Sequence, residues 1–368
     1  MRQRKSEMSF KGRGAVSNAS SRFERFGREP LGHDEAARDD TIWENEFPCA
    51  PSTTVVEELT RSIISRNTSP DIPFDQSINP YKGCEHGCVY CYARPTHAYM
   101  GLSPGLDFET RLFAKTDAAR TLERQLRKPG YRPRTIMLGA NTDPYQPLER
   151  ERKITREVLQ VLSAFNHPVA ITTKSALIVR DLDILAPMAE RRLVSVGISV
   201  TTLDGPLART MEPRASAPRR RVDAIRALGE AGVPVMVMAA PVIPFLNDHE
   251  VETILAAASQ AGARAASYIL LRLPIEVKDL FSEWLQTHVP ERAGRVLGRV
   301  RDSRNGHLYV SDFGRRMTGT GPYAEMLAQR FDLACRRLGL STGRPAEMAL
   351  DTSWFRPPPQ AGEQLSLL

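Results

Sequence analysis

Cys84-Glu-His-Gly-Cys88-Val-Tyr-Cys91 sets three thiols within one short stretch, spaced C-x3-C-x2-C, and the next cysteine is Cys335. Structural zinc takes four ligands in a closed tetrahedron, usually from paired C-x2-C units. Ferredoxin clusters also take four cysteines. Three thiolates can instead hold three irons of a cubane cluster and leave the fourth iron open to a small molecule. His86 or His97 could complete a zinc site, but His86 lies inside the tight loop. The spacing therefore fits an open cluster better than zinc.

Outward from the triplet, the chain alternates between short apolar runs and helical patterns. A strand near Phe74 to Ile78 precedes the cysteines. Further strands are expected at Thr135–Leu138, Val169–Thr173, Leu193–Val200, Val233–Met238 and Ala265–Leu271. Between them, Ile154, Val158, Val161, Leu162 and Phe165 recur at helical spacing, as do Val222, Ile225 and Leu228. Helices are also expected through Leu182 and Leu185 and from about Asp248 to Ala261. Near-continuous apolar strands predict a parallel sheet covered by helices. The fold class is α/β, and six βα units predict a partial (β/α)6 TIM-like barrel. Chemistry in such folds gathers at the C-terminal ends of the strands. The cysteine loop follows the first strand and so lies at that rim.

The chain has 368 residues with 41% hydrophobic content, enough for one large domain with appendages. Residues 1–65 read as a basic, largely flexible N-terminal extension, with Lys11–Asn18 as a flexible basic arm. Residues 66–310 read as the barrel core and 311–341 as a C-terminal helical segment, centred on a helix near Tyr323 to Leu338. Residues 342–368 read as a Pro-rich loose tail. No apolar run is long enough for a transmembrane helix. The N-terminus lacks the apolar core of a secretory signal. Five cysteines, three of them clustered, are not a disulfide framework, and reduced cytoplasmic thiols are expected. Net charge is +7 with a pI near 9.3. That balance favours a polyanionic partner such as nucleic acid, although an Arg-rich proteome would produce it equally well.

The triplet resembles that of the radical S-adenosylmethionine (SAM) enzymes. Tyr90-Cys91-Tyr92, Thr142-Asp-Pro-Tyr-Gln-Pro147, Thr173-Lys-Ser175 and Ala240-Pro-Val-Ile-Pro244 resemble the spore photoproduct lyase-like branch. The resemblance implies a [4Fe-4S] cluster on Cys84, Cys88 and Cys91, with SAM on the open iron. It also implies reductive cleavage to a 5′-deoxyadenosyl radical and an electron donor such as flavodoxin or ferredoxin. Tyr90 would pack the adenine. Asn141 and Thr142 follow the second strand, where relatives contact the SAM amino group, but the common Gly-Gly-Glu is absent there. Lys174 and Ser199 end the third and fourth strands and would face the cofactor, with Lys174 pairing its carboxylate. Spore photoproduct lyases use a cysteine hydrogen donor near the end of the second strand. This chain has no cysteine between Cys91 and Cys335, which puts the same relay in doubt. Tyr92, Tyr145 or Cys335 could quench a radical, and Tyr90 and Tyr92 are the candidate catalytic side chains. Cys335 sits in a helical pattern that fits buried packing.

Arg214, Arg219, Arg220 and Arg221 flank the start of the fourth-unit helix, where amides favour an anion. A solvated arginine face explains them equally well. The last five residues, Gln364-Leu-Ser-Leu-Leu368, resemble the bacterial sliding-clamp-binding pentapeptide, with leucine in place of the usual final phenylalanine. Three readings follow: a radical SAM enzyme acting on nucleic acid in DNA repair or modification; one acting on a peptide, protein or small metabolite; and a non-catalytic metal-binding adaptor on the clamp.

Overall fold

The computed structural model describes residues 10–24, 52–343 and 349–359. Six parallel strands form the centre: β1 (Gln76–Ile78), β2 (Ile136–Leu138), β3 (Val169–Thr173), β4 (Val194–Ser199), β5 (Val235–Val242) and β6 (Ala265–Leu270). They lie side by side in chain order. Gln76 pairs with Ile136, Ile136 with Val169, Val169 with Val194, Val196 with Val235, and Ala265 with Met236. An antiparallel strand, Ile64–Arg66, flanks β1, and a short parallel one, Ser341–Thr342, flanks β6. Among the described residues these two edges do not pair, so the barrel is partial. All six expected strands are present. Side chains of β3 and β4 are buried almost without alternation, as strands covered on both faces require.

Helices cover the outside, beginning with α1 (Ala118–Leu126), α2 (Ile154–Ala164), α3 (Leu182–Glu190), α4 (Pro218–Glu230) and α5 (Val251–Gln260). Ile154, Val158, Leu159 and Leu162 give α2 its buried stripe, and Ala224, Ile225 and Leu228 do the same for α4. Two helices that the sequence reading missed follow β6: α6 (Val277–His288) and α7 (Pro290–Asp302). Val277, Leu280, Phe281, Trp284 and Leu285 form one face of α6. That face packs with Ala293, Val296 and Val300 of α7 against Val89, Tyr90, Met211, Ile243 and Leu246. This second apolar cluster supports the cysteine loop from the rim side. The last helix, α8 (Pro322–Leu338), buries Leu327, Phe331 and Cys335 in the main core. Among the described residues no helix is long and apolar enough to cross a membrane.

Two expectations about the termini are corrected. Lys11–Asn18 is not a loose arm. The backbone amides of Gly14 and Ala15 donate to the Glu109 carboxylate at 3.0 and 2.8 Å, and Asn18 exchanges hydrogen bonds with Asp107. A Cβ on Gly14 would lie 1.7 Å from the Gly87 carbonyl oxygen, so only glycine lets this strap press on the cysteine loop. Polar composition disguised the contact, because it is made by backbone on backbone. The Pro-rich tail is likewise docked over residues 349–359. Phe355 packs among Tyr131, Phe165 and His167, and the Arg356 amide donates to Phe165 O at 3.0 Å. These contacts lie at the N-terminal ends of the strands, opposite the rim that carries the cysteines. Gln364–Leu368 lies outside the described residues.

Candidate active site

The cysteine loop has little secondary structure of its own, so its shape is imposed by neighbours. Cys84 N donates to Phe108 O at 2.9 Å, and Val89 N to Met211 O at 2.9 Å. Gln146, from the Thr142–Pro147 segment after β2, accepts from Glu85 N at 2.9 Å and donates to Gly83 O at 3.2 Å. Arg94, fully buried, spends its guanidinium on the loop. It reaches Cys88 O at 2.8 Å, Gly87 O at 3.1 Å, Gly105 O at 2.9 Å and Pro104 O at 3.1 Å, and it pairs with buried Glu109. Glu109 also holds the strap amides, so one carboxylate ties the N-terminal strap to the cysteine loop.

Cys84, Cys88 and Cys91 are free thiols, the first two buried. Burial pushes all three thiols up, with Asp143 adding to the effect at Cys84 and Glu212 at Cys88, which reaches about 12. Thiols held this way stay protonated unless a cation replaces the protons. A closed structural zinc site takes four ligands, and the loop offers three thiols with no fourth cysteine beside them. Three thiols can hold three irons of a cubane cluster and leave the fourth open, so the donor set fits that group better than zinc.

Beside the loop lies a buried polar network at the C-terminal rim. Lys174 ends β3, and its Nζ donates to Ser199 Oγ at 2.6 Å and Thr201 Oγ1 at 3.3 Å, with Ala240 O at 3.4 Å. The same ammonium stands 5.6 Å from the Tyr90 ring centroid and 3.9 Å from Glu212. The Tyr90 hydroxyl donates to Glu212 and lies 3.1 Å from Thr201 Oγ1. Burial alone would raise the Glu212 carboxyl, but Arg221, Lys174 and the Tyr90 hydroxyl hold it below the usual range, so it stays ionised. Burial pushes the Tyr90 hydroxyl well up, with Cys88 and Glu212 adding to the effect, and it keeps its proton.

The structure thus brings Tyr90, Lys174 and Ser199 together, as the sequence reading expected. Thr142 donates its hydroxyl to Tyr81 O at 2.8 Å, while Asn141 N donates to Asn79 Oδ1 at 3.0 Å. Asp143, next in sequence, accepts from Thr173 Oγ1 at 2.7 Å and Lys174 N at 2.8 Å, and stands 3.3 Å from His86 Nδ1. Burial raises its carboxyl, but His86 and those donors bring it below the ordinary value. Tyr92 is half exposed, with its hydroxyl donating to Ala140 O. Cys335 sits in the main core, away from the rim, and burial pushes its thiol up to about 11. The arginine group at α4 is split. Arg221 is buried, pairs with Glu212 and donates to Ser216 O at 2.7 Å and Ser199 O at 3.1 Å. Arg214 is exposed but pairs with Glu85 at 2.9 Å, while Arg219 and Arg220 face solvent. The four do not form one anion site.

Sequence reasoning missed Thr201, Glu212, Arg94 and Glu109. Helical spacing identified most of the covering helices, but it carries no signal for a charge buried beside a loop that is distant in the chain.

A partial parallel barrel with three thiols on the loop after its first strand defines a class. The radical SAM superfamily model matches residues 78–258, and the chain belongs to that superfamily. Its members use a [4Fe-4S] cluster and SAM. An uncharacterised protein of Mycobacterium tuberculosis is 36% identical over 245 residues, covering 66% of this chain and 72% of that one. A Methanocaldococcus jannaschii protein is 28% identical over 173 residues, covering 47% and 62%. Among solved structures, spore photoproduct lyase complexed with dinucleoside spore photoproduct aligns at a TM-score of 0.55 and 13% identity. That alignment covers 78% of this chain and 81% of the other, and the likeness is one of fold.

Proposed function

We propose that this chain reductively cleaves SAM at the Cys84–Cys91 loop and acts on nucleic acid in DNA repair or modification. The observation that carries the cofactor part is the position of Lys174. A partly buried cation held by hydroxyls beside the loop is suited to receive an amino-acid carboxylate, at little reorganisation cost. When bound, the cluster and SAM supply a carbon-centred radical. Cys84, Cys88 and Cys91 would hold the cluster, and Tyr90, Lys174, Ser199 and Asn141 would face SAM. Thr142 supports them through Tyr81. Tyr92, half exposed at the rim, is the side chain of this group best able to meet a substrate.

Nucleic acid is favoured by the +7 net charge and by the dinucleoside photoproduct that the spore photoproduct lyase neighbour binds. Photoproduct reversal through a cysteine donor is not part of the proposal, because Cys335 is packed in the core. The chemistry requires a reducing compartment and an electron donor, which the cytoplasm supplies. Recruitment to a sliding clamp through Gln364–Leu368 is a separate part of the proposal. Equal clamp pull-down with and without those residues would remove it.

The main test is anaerobic reconstitution with iron and sulfide, reduction, and assay for 5′-deoxyadenosine from SAM. Product formation that Cys88→Ala abolishes is expected. A chain that binds zinc stoichiometrically and cleaves no SAM would instead be the metal-binding adaptor. Damaged DNA, RNA and peptides are then compared by their stimulation of turnover. Stimulation by peptides alone would move the substrate to that class.

A further inference from the structure

Two cation–aromatic stacks stand in series along the rim beside the cysteine loop. The inner one is Arg272 with Tyr92. The Arg272 guanidinium lies 5.7 Å from the Tyr92 ring centroid, and Tyr92 immediately follows the last cysteine. Arg272 stands two residues past the end of β6, and among the described residues it forms no ion pair. Its Nε is buried without a hydrogen-bond partner, and its Nη1 meets only the Met317 sulfur, at 3.2 Å. A half-buried guanidinium without an anion is costly to keep unless something else supplies the anion. The neighbouring buried Arg304 adds positive charge, and its donors go to the carbonyls of Leu270, Leu271 and Arg316.

The outer stack is Arg22 with Phe23 and Tyr99. The guanidinium lies 4.6 Å from the Phe23 centroid and 5.0 Å from that of Tyr99, and the two ring centroids are 5.4 Å apart. Both rings are open to solvent, at 56% and 74% exposure. Arg22 pairs with Glu276 at 2.6 Å, four residues beyond Arg272, so the chain between the stacks spans at most about 14 Å. Large exposed aromatic rings on a soluble surface need a reason, and here they are held in place by a fixed cation.

We infer that these five residues form a track for a single-stranded or flipped-out nucleotide segment. Arg272 would take a backbone phosphate, and Phe23 and Tyr99 would stack a neighbouring base. An alternation of anion receptor and flat apolar face matches the alternation of phosphate and base. Bases in a duplex have both faces covered, so the platform selects nucleotides outside the stack. This inference rests on the nucleic-acid reading above and adds the strandedness of the substrate and the residues that hold it.

The test is fluorescence anisotropy of a labelled single-stranded DNA oligonucleotide and of the matching duplex. It uses the full-length reconstituted protein and the variants Arg272→Met and Phe23→Leu/Tyr99→Leu. Iron content and thermal melting confirm that each variant is folded. Wild type is expected to bind single strand more tightly than duplex. The double variant should weaken binding about tenfold or more, the weight of one stacked base. Arg272→Met should lower the slope of log affinity against log salt by about 0.7, the signature of one lost phosphate contact on a single strand. Folded variants that bind like wild type would overturn the track and leave the nucleic-acid reading intact. A wild type that binds neither DNA form while cleaving SAM would overturn both. Displacement of the oligonucleotide by an equimolar acidic peptide would also overturn the track.

Discussion

Arg94→Met removes the guanidinium that clamps the cysteine loop while keeping most of the side chain's apolar volume. Arg94 is fully buried and bonds four carbonyls and the Glu109 carboxylate. Loss of one partner of a buried ion pair costs about 3–5 kcal/mol, because the other charge is left uncompensated. Each carbonyl left dry adds about 1–3 kcal/mol, less wherever the loop relaxes toward water. A net loss of about 5 kcal/mol is expected. Domains are typically stable by about 5–15 kcal/mol, so the barrel can survive a loss that the loop cannot. Urea denaturation of the apo protein gives the global cost, and iron and sulfide per chain after reconstitution give the local one. Glu109→Gln supplies the second edge of a double-mutant cycle. Removing both charges should cost less than the sum of the single changes, by about 2 kcal/mol, because no isolated buried charge remains. An Arg94→Met protein that is within about 1 kcal/mol of wild type and binds iron fully would refute the clamp. Strict additivity with Glu109→Gln would refute the pairing.

Three further outcomes are expected. Lys174→Met should weaken SAM binding roughly tenfold to hundredfold, the weight of a charge-assisted hydrogen bond, without lowering iron content; calorimetry with unchanged affinity would exclude the carboxylate contact. Gly14→Val cannot keep the strap in place, since its Cβ would overlap Gly87 O, so trypsin should cut after Arg13 or Arg22 much faster than in wild type; equal cleavage would show that the strap is not seated. Burial lowers the His167 imidazole to about 4 from 6.5. The unfolded chain therefore takes up the proton first, and the stability contributed by neutral His167 is present above pH 6.5 and lost as pH falls toward 4. His167→Phe should thus reduce the stability drop between pH 7 and pH 4.5 by about 2 kcal/mol, and an unchanged drop in paired denaturation curves would contradict it.

The six strands and the cysteine loop were legible because their signals are local. Val169–Thr173 and Val194–Ser199 are short runs rich in β-branched residues, and the three thiols are neighbours in the chain. Lys174 and Ser199 were legible as strand ends, since the barrel brings successive strand ends to one rim. Helix α6 carried a regular stripe from Val277 to Leu285 that the reading passed over. The strap at Gly14 had no such signal. Glycine, arginine and serine in a polar stretch look the same whether the backbone is solvated or pressed on another backbone. Glu212 was also silent, because its partners Tyr90, Thr201, Lys174 and Arg221 come from four separate segments.

Three buried carboxylates explain how a loop of so little regular structure can be held in one shape. Glu109 approaches from the segment after the loop and fixes Arg94 and the strap. Asp143 approaches from the end of β2 and fixes His86 and the Lys174 backbone. Glu212 approaches from beyond β4 and fixes Tyr90 and Arg221. Each charge would be costly to bury alone, so each is surrounded by donors, and three of those donors, His86, Tyr90 and Arg94, belong to the loop or flank it. A loop held by apolar contacts alone would tolerate several rotamer sets, because such contacts have no direction. Charged hydrogen bonds from three rigid segments specify one geometry. For three thiols proposed each to hold a different iron, that geometric definition matters more than the modest net stability such pairs contribute.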